Sequence, residues 1–158
     1  VHFDNTPVHK RYVLAIAANV PDYIKSKTYI ATTDMNNNFS YIGGKWKNGF
    51  IKAKVREFGN FCVIADTTKP EITAINIFPN KIITSQRSIK FTIKDNESGI
   101  KSYRGEINGE WVLMEYDHKE NLLKFDIQEN ITKGEHTLTI KVIDNVNNEK
   151  VYRANFTY

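Results

Sequence analysis

Few residues in this 158-residue chain have the type and spacing that chemistry requires. Four histidines, His2, His9, His118 and His136, are scattered, with no H-x-H and no H-E-x-x-H, so the ligand spacing of a zinc site is missing. The single Cys62 sits in the apolar run Phe61-Cys62-Val63-Ile64 without an adjacent base, the setting of a buried thiol rather than a nucleophile. One cysteine also rules out an internal disulfide. No G-x-S-x-G elbow and no glycine-rich phosphate loop occur, and Gly43-Gly44 leads into Lys45-Trp46 in a hairpin-like context. The expectation is a chain with no catalytic residue and no cofactor of its own.

Two groups of residues remain. The first is acidic and Asn-rich: Asp95-Asn96-Glu97-Ser98-Gly99 and Asp144-Asn145-Val146-Asn147-Asn148. In an immunoglobulin-like topology these are the B–C and F–G loops, at one end of the sandwich, and a linker carrying Asp66 would enter at that end. Asp66, Asp95, Glu97 and Asp144 are therefore candidate Ca²⁺ ligands, because Ca²⁺ takes six to eight oxygens. Asx turns account for the same residues without an ion and are the favoured reading. The second group is aromatic: Tyr103, Trp111, Tyr116 and Phe125. On an exposed sheet face, Trp111, Tyr116 and Tyr103 would form a surface for a sugar ring or a partner protein. A lone Trp in such a strand more often fills the core, and the expectation places Trp111 there with Ile89, Phe91, Ile93, Leu138, Ile140, Val142 and Phe156.

The elements that would position these residues are strands. Tyr and Phe are frequent, Met is rare, and period-2 segments recur with turn signals about every ten residues, the pattern of a sandwich or barrel. Strands are expected near 11–18, 27–33, 39–42, 50–56 and 60–65, then near 71–78, 88–94, 102–107, 110–116, 122–126, 135–144 and 149–158. Asn48-Gly49 and Asn108-Gly109 each mark a two-residue type I′ hairpin, since both turn positions need positive φ. Trp46 and Phe50 flank the first of these, in a packing role. The stretch Asp66-Thr67-Thr68-Lys69-Pro70 breaks the rhythm, and Pro70 forces Lys69 to be extended. The fold expected is all-β: two small β-sandwich domains in tandem. Residues 1–66 form the first, incomplete at its N-terminus, and residues 67–158 an immunoglobulin-like sandwich of about seven strands.

A formal net charge of +4 raises the question of an anionic partner. The cations are spaced singly along alternating strands (Lys52, Lys54, Arg56; Lys90, Lys94; Lys101, Arg104), so no patch and no nucleic-acid partner are expected. No apolar run reaches the roughly 20 residues of a transmembrane helix. Val1-His2-Phe3-Asp4 opens without a Met or a signal peptide and reads as the interior of a longer protein, with any export signal upstream.

Phe58-Gly59-Asn60-Phe61, the stretch from Asp66 to Ile72, Ser98–Tyr103, the run I-N-G-E-W-V-L-M-E-Y-D from Ile107 to Asp117, Gly134-Glu135-His136 and Asp144-Asn145 together carry a resemblance. Over most of residues 40–158 the chain resembles the C-terminal region of secreted M23-type (LytM-like) cell-wall metallopeptidases of Bacteroidetes. In that family a peptidase domain precedes β-sandwich modules, and its zinc is held by an H-x-x-x-D pair and an H-x-H pair that nothing here matches. The resemblance thus implies zinc only in an upstream peptidase domain, partnered in cis. It also implies an exported protein, periplasmic, outer-membrane-associated or at the cell surface, acting near peptidoglycan or an envelope protein. Asn147-Asn148 stands where such modules have Gly-Asn. The leading function is an accessory region that positions or regulates the catalytic domain or binds a partner. The alternative is a carbohydrate- or protein-binding adhesion module with no peptidase attached, which requires Trp111 to be exposed.

Overall fold

Asparagine takes left-handed backbone more readily than other side chains, and here it closes the turns that set strand register. A computed structural model describes residues 6–127 and 131–158; His2 and the opening Val1-His2-Phe3-Asp4 lie outside the described residues. Every described non-glycine residue with positive φ is an Asn: Asn37, Asn48, Asn80, Asn108, Asn121 and Asn147. Asn48 (φ 53) and Gly49 (φ 77) turn one hairpin, Asn108 (φ 56) and Gly109 (φ 84) another, as the type I′ geometry demands. The fold is all-β, and the chain divides into two units, residues 1–68 and 69–158.

The first unit contains β1 (Thr6–Ala17), a short 3-10 helix (Asp22–Lys27), β2 (Thr28–Thr33) and β3 (Phe39–Gly43). It continues with β4 (Lys45–Lys47), β5 (Phe50–Phe58) and β6 (Asn60–Ala65). Two antiparallel sheets result, ordered β1-β5-β4 and β3-β2-β6. The chain passes from one sheet to the other at Gly43-Gly44 (φ 96 and 145), a step that L side chains resist. Space demands glycine as well, since a Cβ on Gly44 would lie 2.8 Å from Ile51 Cγ1. Ile30, Ile51 and Val55 are buried between the sheets. Trp46 Nε1 donates to Thr28 Oγ1 (2.8 Å) and to the Lys25 carbonyl (3.1 Å), tying β4 to the helix and to β2. Trp46 thus packs inward as expected, whereas Phe50 is 41% exposed because it alternates with the buried Ile51.

The second unit contains β7 (Glu71–Ala74), β8 (Lys81–Ile82), β9 (Ser88–Lys94), β10 (Ile100–Ile107) and β11 (Glu110–Val112). β12 (Glu115–Asp117), β13 (Leu122–Asp126), β14 (Glu135–Asp144) and β15 (Glu149–Thr157) complete it. A four-stranded sheet β12-β13-β9-β7 and a five-stranded sheet β11-β10-β14-β15-β8 enclose the core, an immunoglobulin-like sandwich. Alternate residues of β9 (Ile89, Phe91, Ile93) and β14 (Leu138, Ile140, Val142) are fully buried with Leu123 and Phe156. Each such side chain removed from water contributes about 1.5–3 kcal/mol.

Two differences from the sequence expectation have physical causes. The strand expected over 71–78 ends at Ala74 because the Asn76 side chain takes over the ladder to β9, accepting the Lys90 N–H (2.8 Å) and donating to the Ser88 carbonyl (2.9 Å). The later two-residue β8 pairs in parallel with β15. The strand expected over 110–116 is two strands in different sheets. β11 pairs β10, β12 pairs β13, and the chain crosses at Leu113-Met114. Trp111 is corrected by the same geometry. The tight Asn108-Gly109 turn sets Trp111 opposite Glu106, on the outer face, and leaves it 57% exposed. The buried Met114 closes the core there, against Gly105: a Cβ on Gly105 would lie 2.4 Å from Met114 Sδ.

Candidate functional site

The outer face of the five-stranded sheet carries the feature that sequence reasoning placed inside. Trp111 pairs with Glu106, Glu106 with Thr139, and Thr139 with Arg153, so these four side chains form one row across four strands. A second row runs Arg104, Lys141, Val151. With strands about 4.8 Å apart, the first row spans about 14 Å from Trp111 to Arg153. Arg104 Nε pairs with Glu106 Oε1 and Lys141 Nζ with Glu149 Oε2, both at 2.6 Å. Both pairs, with Thr139, Val151 and Arg153, line a shallow groove of about 190 Å³, of which Trp111 is not a lining residue. Leu113, just past β11 and 63% exposed, is the next exposed apolar side chain after Trp111. The face therefore combines an open indole with hydrogen-bonding groups already held in place by ion pairs.

Tyr103 and Tyr116 do not join this face. Tyr103 pairs with the buried Val142 on the inward side of β10, and its ring meets that of Tyr116 edge-on at 5.6 Å. The Tyr116 hydroxyl donates to the Ile93 carbonyl (3.3 Å). Burial, with smaller contributions from Asp117 and Tyr103, pushes the Tyr116 phenol above its ordinary pKa. Tyr116 packs against the core, and Tyr103, still 36% exposed, covers it from the rim. His118 meets the Tyr116 ring edge-on (4.3 Å). His136 is buried, with Nδ1 3.0 Å from Asn108 Nδ2 and Nε2 2.8 Å from the Thr132 carbonyl, a fixed structural ring.

The loop pole of the second unit is built from one repeated device. Asp144 Oδ1 accepts the N–H groups of Val146 (2.9 Å) and Asn148 (2.7 Å), and Oδ2 accepts Asn148 Nδ2 (2.6 Å). Asp95 Oδ1 accepts the N–H groups of Glu97 (3.2 Å) and Gly99 (2.8 Å). Asn145 Nδ2 reaches the Ser98 carbonyl (2.8 Å) and joins the two loops. Asn147 takes φ 63, so it serves where the resemblance leads one to expect Gly. In the first unit, Asp34 repeats the Asp144 pattern with Asn36 and Asn38. There the Asn38 hydrogen bonds hold the Asp34 carboxyl below its ordinary pKa. Oxygens of Asp95 and Asp144 lie within 4.8 Å of each other, while Glu97 is exposed and outside that group. The hydrogen bonds of Asp95 and Asp144 to their own loops are those of Asx turns. Asp66 is fully buried at the end of the first unit, where its Oδ1 accepts the Thr68 N–H (2.9 Å) and its own N–H reaches the Lys27 carbonyl (2.9 Å).

Residues 1–66 match the Zu5-like domain family, which is less than half of the chain. No curated protein sequence matches significantly. Among solved structures, the chain is similar to fibronectin(III)-like modules of Clostridium thermocellum CbhA at 12% identity and TM-score 0.45, over 98% of this chain and 88% of that one. It is similar to CopC from Methylosinus trichosporium OB3b at 13% identity and TM-score 0.42, over 55% of this chain and 92% of that one. It is similar to dimeric latent PorU from Porphyromonas gingivalis at 12% identity and TM-score 0.47, over 98% of this chain but only 20% of PorU. No helix among the described residues is long and apolar enough to cross a membrane.

Proposed function

We propose that this chain is a non-catalytic binding module that holds a carbohydrate chain against the outer face of its five-stranded sheet. The observation that carries this reading is the exposure of Trp111, 57%, at the head of the Glu106–Thr139–Arg153 row. An indole in water invites a ligand with an apolar face, and a pyranose ring offers one together with hydroxyls for the flanking carboxylate, hydroxyl and guanidinium. The Arg104–Glu106 ion pair fixes that carboxylate before a ligand arrives, which lowers the ordering cost of binding. The row is long enough for a short oligosaccharide and is too open for catalysis, since nothing on it excludes water.

The same reading takes the chain as an accessory region of an exported cell-wall peptidase, with peptidoglycan as the natural carbohydrate. Its support is the sequence resemblance centred on Ile107–Asp117, a segment that includes Trp111. The test is a glycan array, peptidoglycan fragments included, probed with the wild-type chain and with Trp111→Ala. The reading expects hits that disappear in the variant while its melting temperature stays within a few degrees, since an exposed side chain carries little packing. Hits that survive in Trp111→Ala would sink it.

A further inference from the structure

The net positive charge has a location that the sequence order conceals. Residues 1–68 carry nine Lys or Arg against five Asp or Glu, whereas residues 69–158 carry thirteen of each. Strand register then sorts the excess. In the sheet β1-β5-β4, Ile16 pairs with Ile51, Ile51 with Trp46, and Leu14 with Ala53, which defines the inward face. The opposite face presents Lys52, Lys54 and Arg56 of β5, Lys45 and Lys47 of β4, and Arg11 of β1. Among the described residues no acidic side chain occupies this face of the three strands, and none of these six cations forms an ion pair. The expectation that the cations would not gather is thereby corrected: they are single in sequence but adjacent across strands.

Such an arrangement costs stability. Lys45 stands directly opposite Lys52, a like-charge pair that weakens a sheet unless an anion lies over it. In the second unit several outward cations sit beside carboxylates, as in Arg104–Glu106, Lys141–Glu149 and Lys124–Asp126, the last relieving the cross-strand pair Lys124–Lys90. The basic rows on β4 and β5 lie beside an apolar row on β1, Val13, Ala15 and Ala17, and the face ends at Phe50. It measures about 10 Å across by about 25 Å along the strands.

We propose that this face lies on an anionic lipid bilayer. The cations form a two-dimensional array, which a plane of mobile headgroups can match charge for charge, whereas a linear polyanion engages one row. Clusters of four to eight cations are the usual number for anionic-lipid binding. The adjoining apolar row and Phe50 suit the interfacial region, where lysines keep their ammonium groups at headgroup level. Nucleic acid fits less well, because the Phe50 ring is already occupied by the Lys52 ammonium at 5.8 Å and offers no bare stacking platform.

The test is co-sedimentation of the full chain with vesicles of phosphatidylcholine alone or with about a quarter phosphatidylglycerol, at low and high salt. Binding is expected to the anionic vesicles only and to fall steeply between about 50 and about 300 mM salt. Lys52→Ser/Lys54→Ser/Arg56→Ser should bind about a hundredfold more weakly, and Lys54→Gln alone about fivefold, which decides the matter if the triple variant fails to fold. Lys90→Ser/Lys150→Ser in the second unit should bind as wild type does. Equal binding to both vesicles, no binding to anionic vesicles, or full binding by Lys54→Gln overturns the proposal. So does tighter binding to single-stranded DNA or soluble dextran sulfate than to the anionic vesicles.

Discussion

Replacing Asp144 by Ala should cost the second unit about 3–5 kcal/mol. The side chain is 0% exposed and accepts three hydrogen bonds, from the Val146 and Asn148 N–H groups and from Asn148 Nδ2, all on buried residues. A buried donor left unpaired costs about 1–3 kcal/mol, and the five-residue loop can relax enough to recover part of the total. Asp144→Asn should fall in between. It keeps the Oδ1 acceptor but sets an amide against Asn148 Nδ2. Amide hydrogen exchange read by mass spectrometry is the assay, because it reports β14 and β15 separately from the first unit. Asp34→Ala is the internal control, with the same pattern in an exposed loop where water replaces the lost acceptor. A cost below about 1 kcal/mol for Asp144→Ala, or an equal cost for both variants, would refute the reasoning.

Other perturbations separate packing from binding. Gly105→Ala should destabilise the second unit by about 1–3 kcal/mol through its clash with Met114, and Met114→Ala in the same chain should relieve part of that; unchanged urea midpoints would contradict it. Cys62 is half-buried and its thiol pKa is raised by burial, so disulfide-exchange labelling at pH 8 should be slow in the folded chain and fast in urea. Burial raises the Tyr116 phenol above its unfolded pKa, so its contribution to stability is complete below pH 10 and is lost as pH rises through the folded value; Tyr116→Phe should blunt the alkaline loss seen by circular dichroism.

Much of the strand arrangement was legible because local chemistry decides it. Asn48-Gly49 and Asn108-Gly109 require left-handed backbone, and the alternation in Ile89–Ile93 and Leu138–Val142 has one burial solution in a sandwich. The sheet switches at Gly43-Gly44 and Leu113-Met114 were not legible. Each follows from packing against a distant strand, Ile51 in one case and Gly105 in the other. The orientation of Trp111 was lost with the second switch, since a strand running through to Tyr116 leaves the choice of face open. The basic face was hidden for a different reason. Its cations come from three strands in which charged and apolar positions alternate, and only the register β1-β5-β4 brings them side by side. The turn role of Asp95 and Asp144 was readable from composition alone, because Asx hydrogen bonds are local.

The most direct test of the binding face uses the chain's two tryptophans, one in each unit. Trp46 donates its indole N–H to Thr28 and Lys25, while Trp111 is open to water. In a ¹⁵N-resolved titration with soluble peptidoglycan fragments, chitohexaose and cellohexaose, at least one sugar should shift the Trp111 indole resonance and leave that of Trp46 in place. A Trp111 resonance unmoved by all three, or a sugar that moves only Trp46, would contradict carbohydrate binding on the five-stranded face.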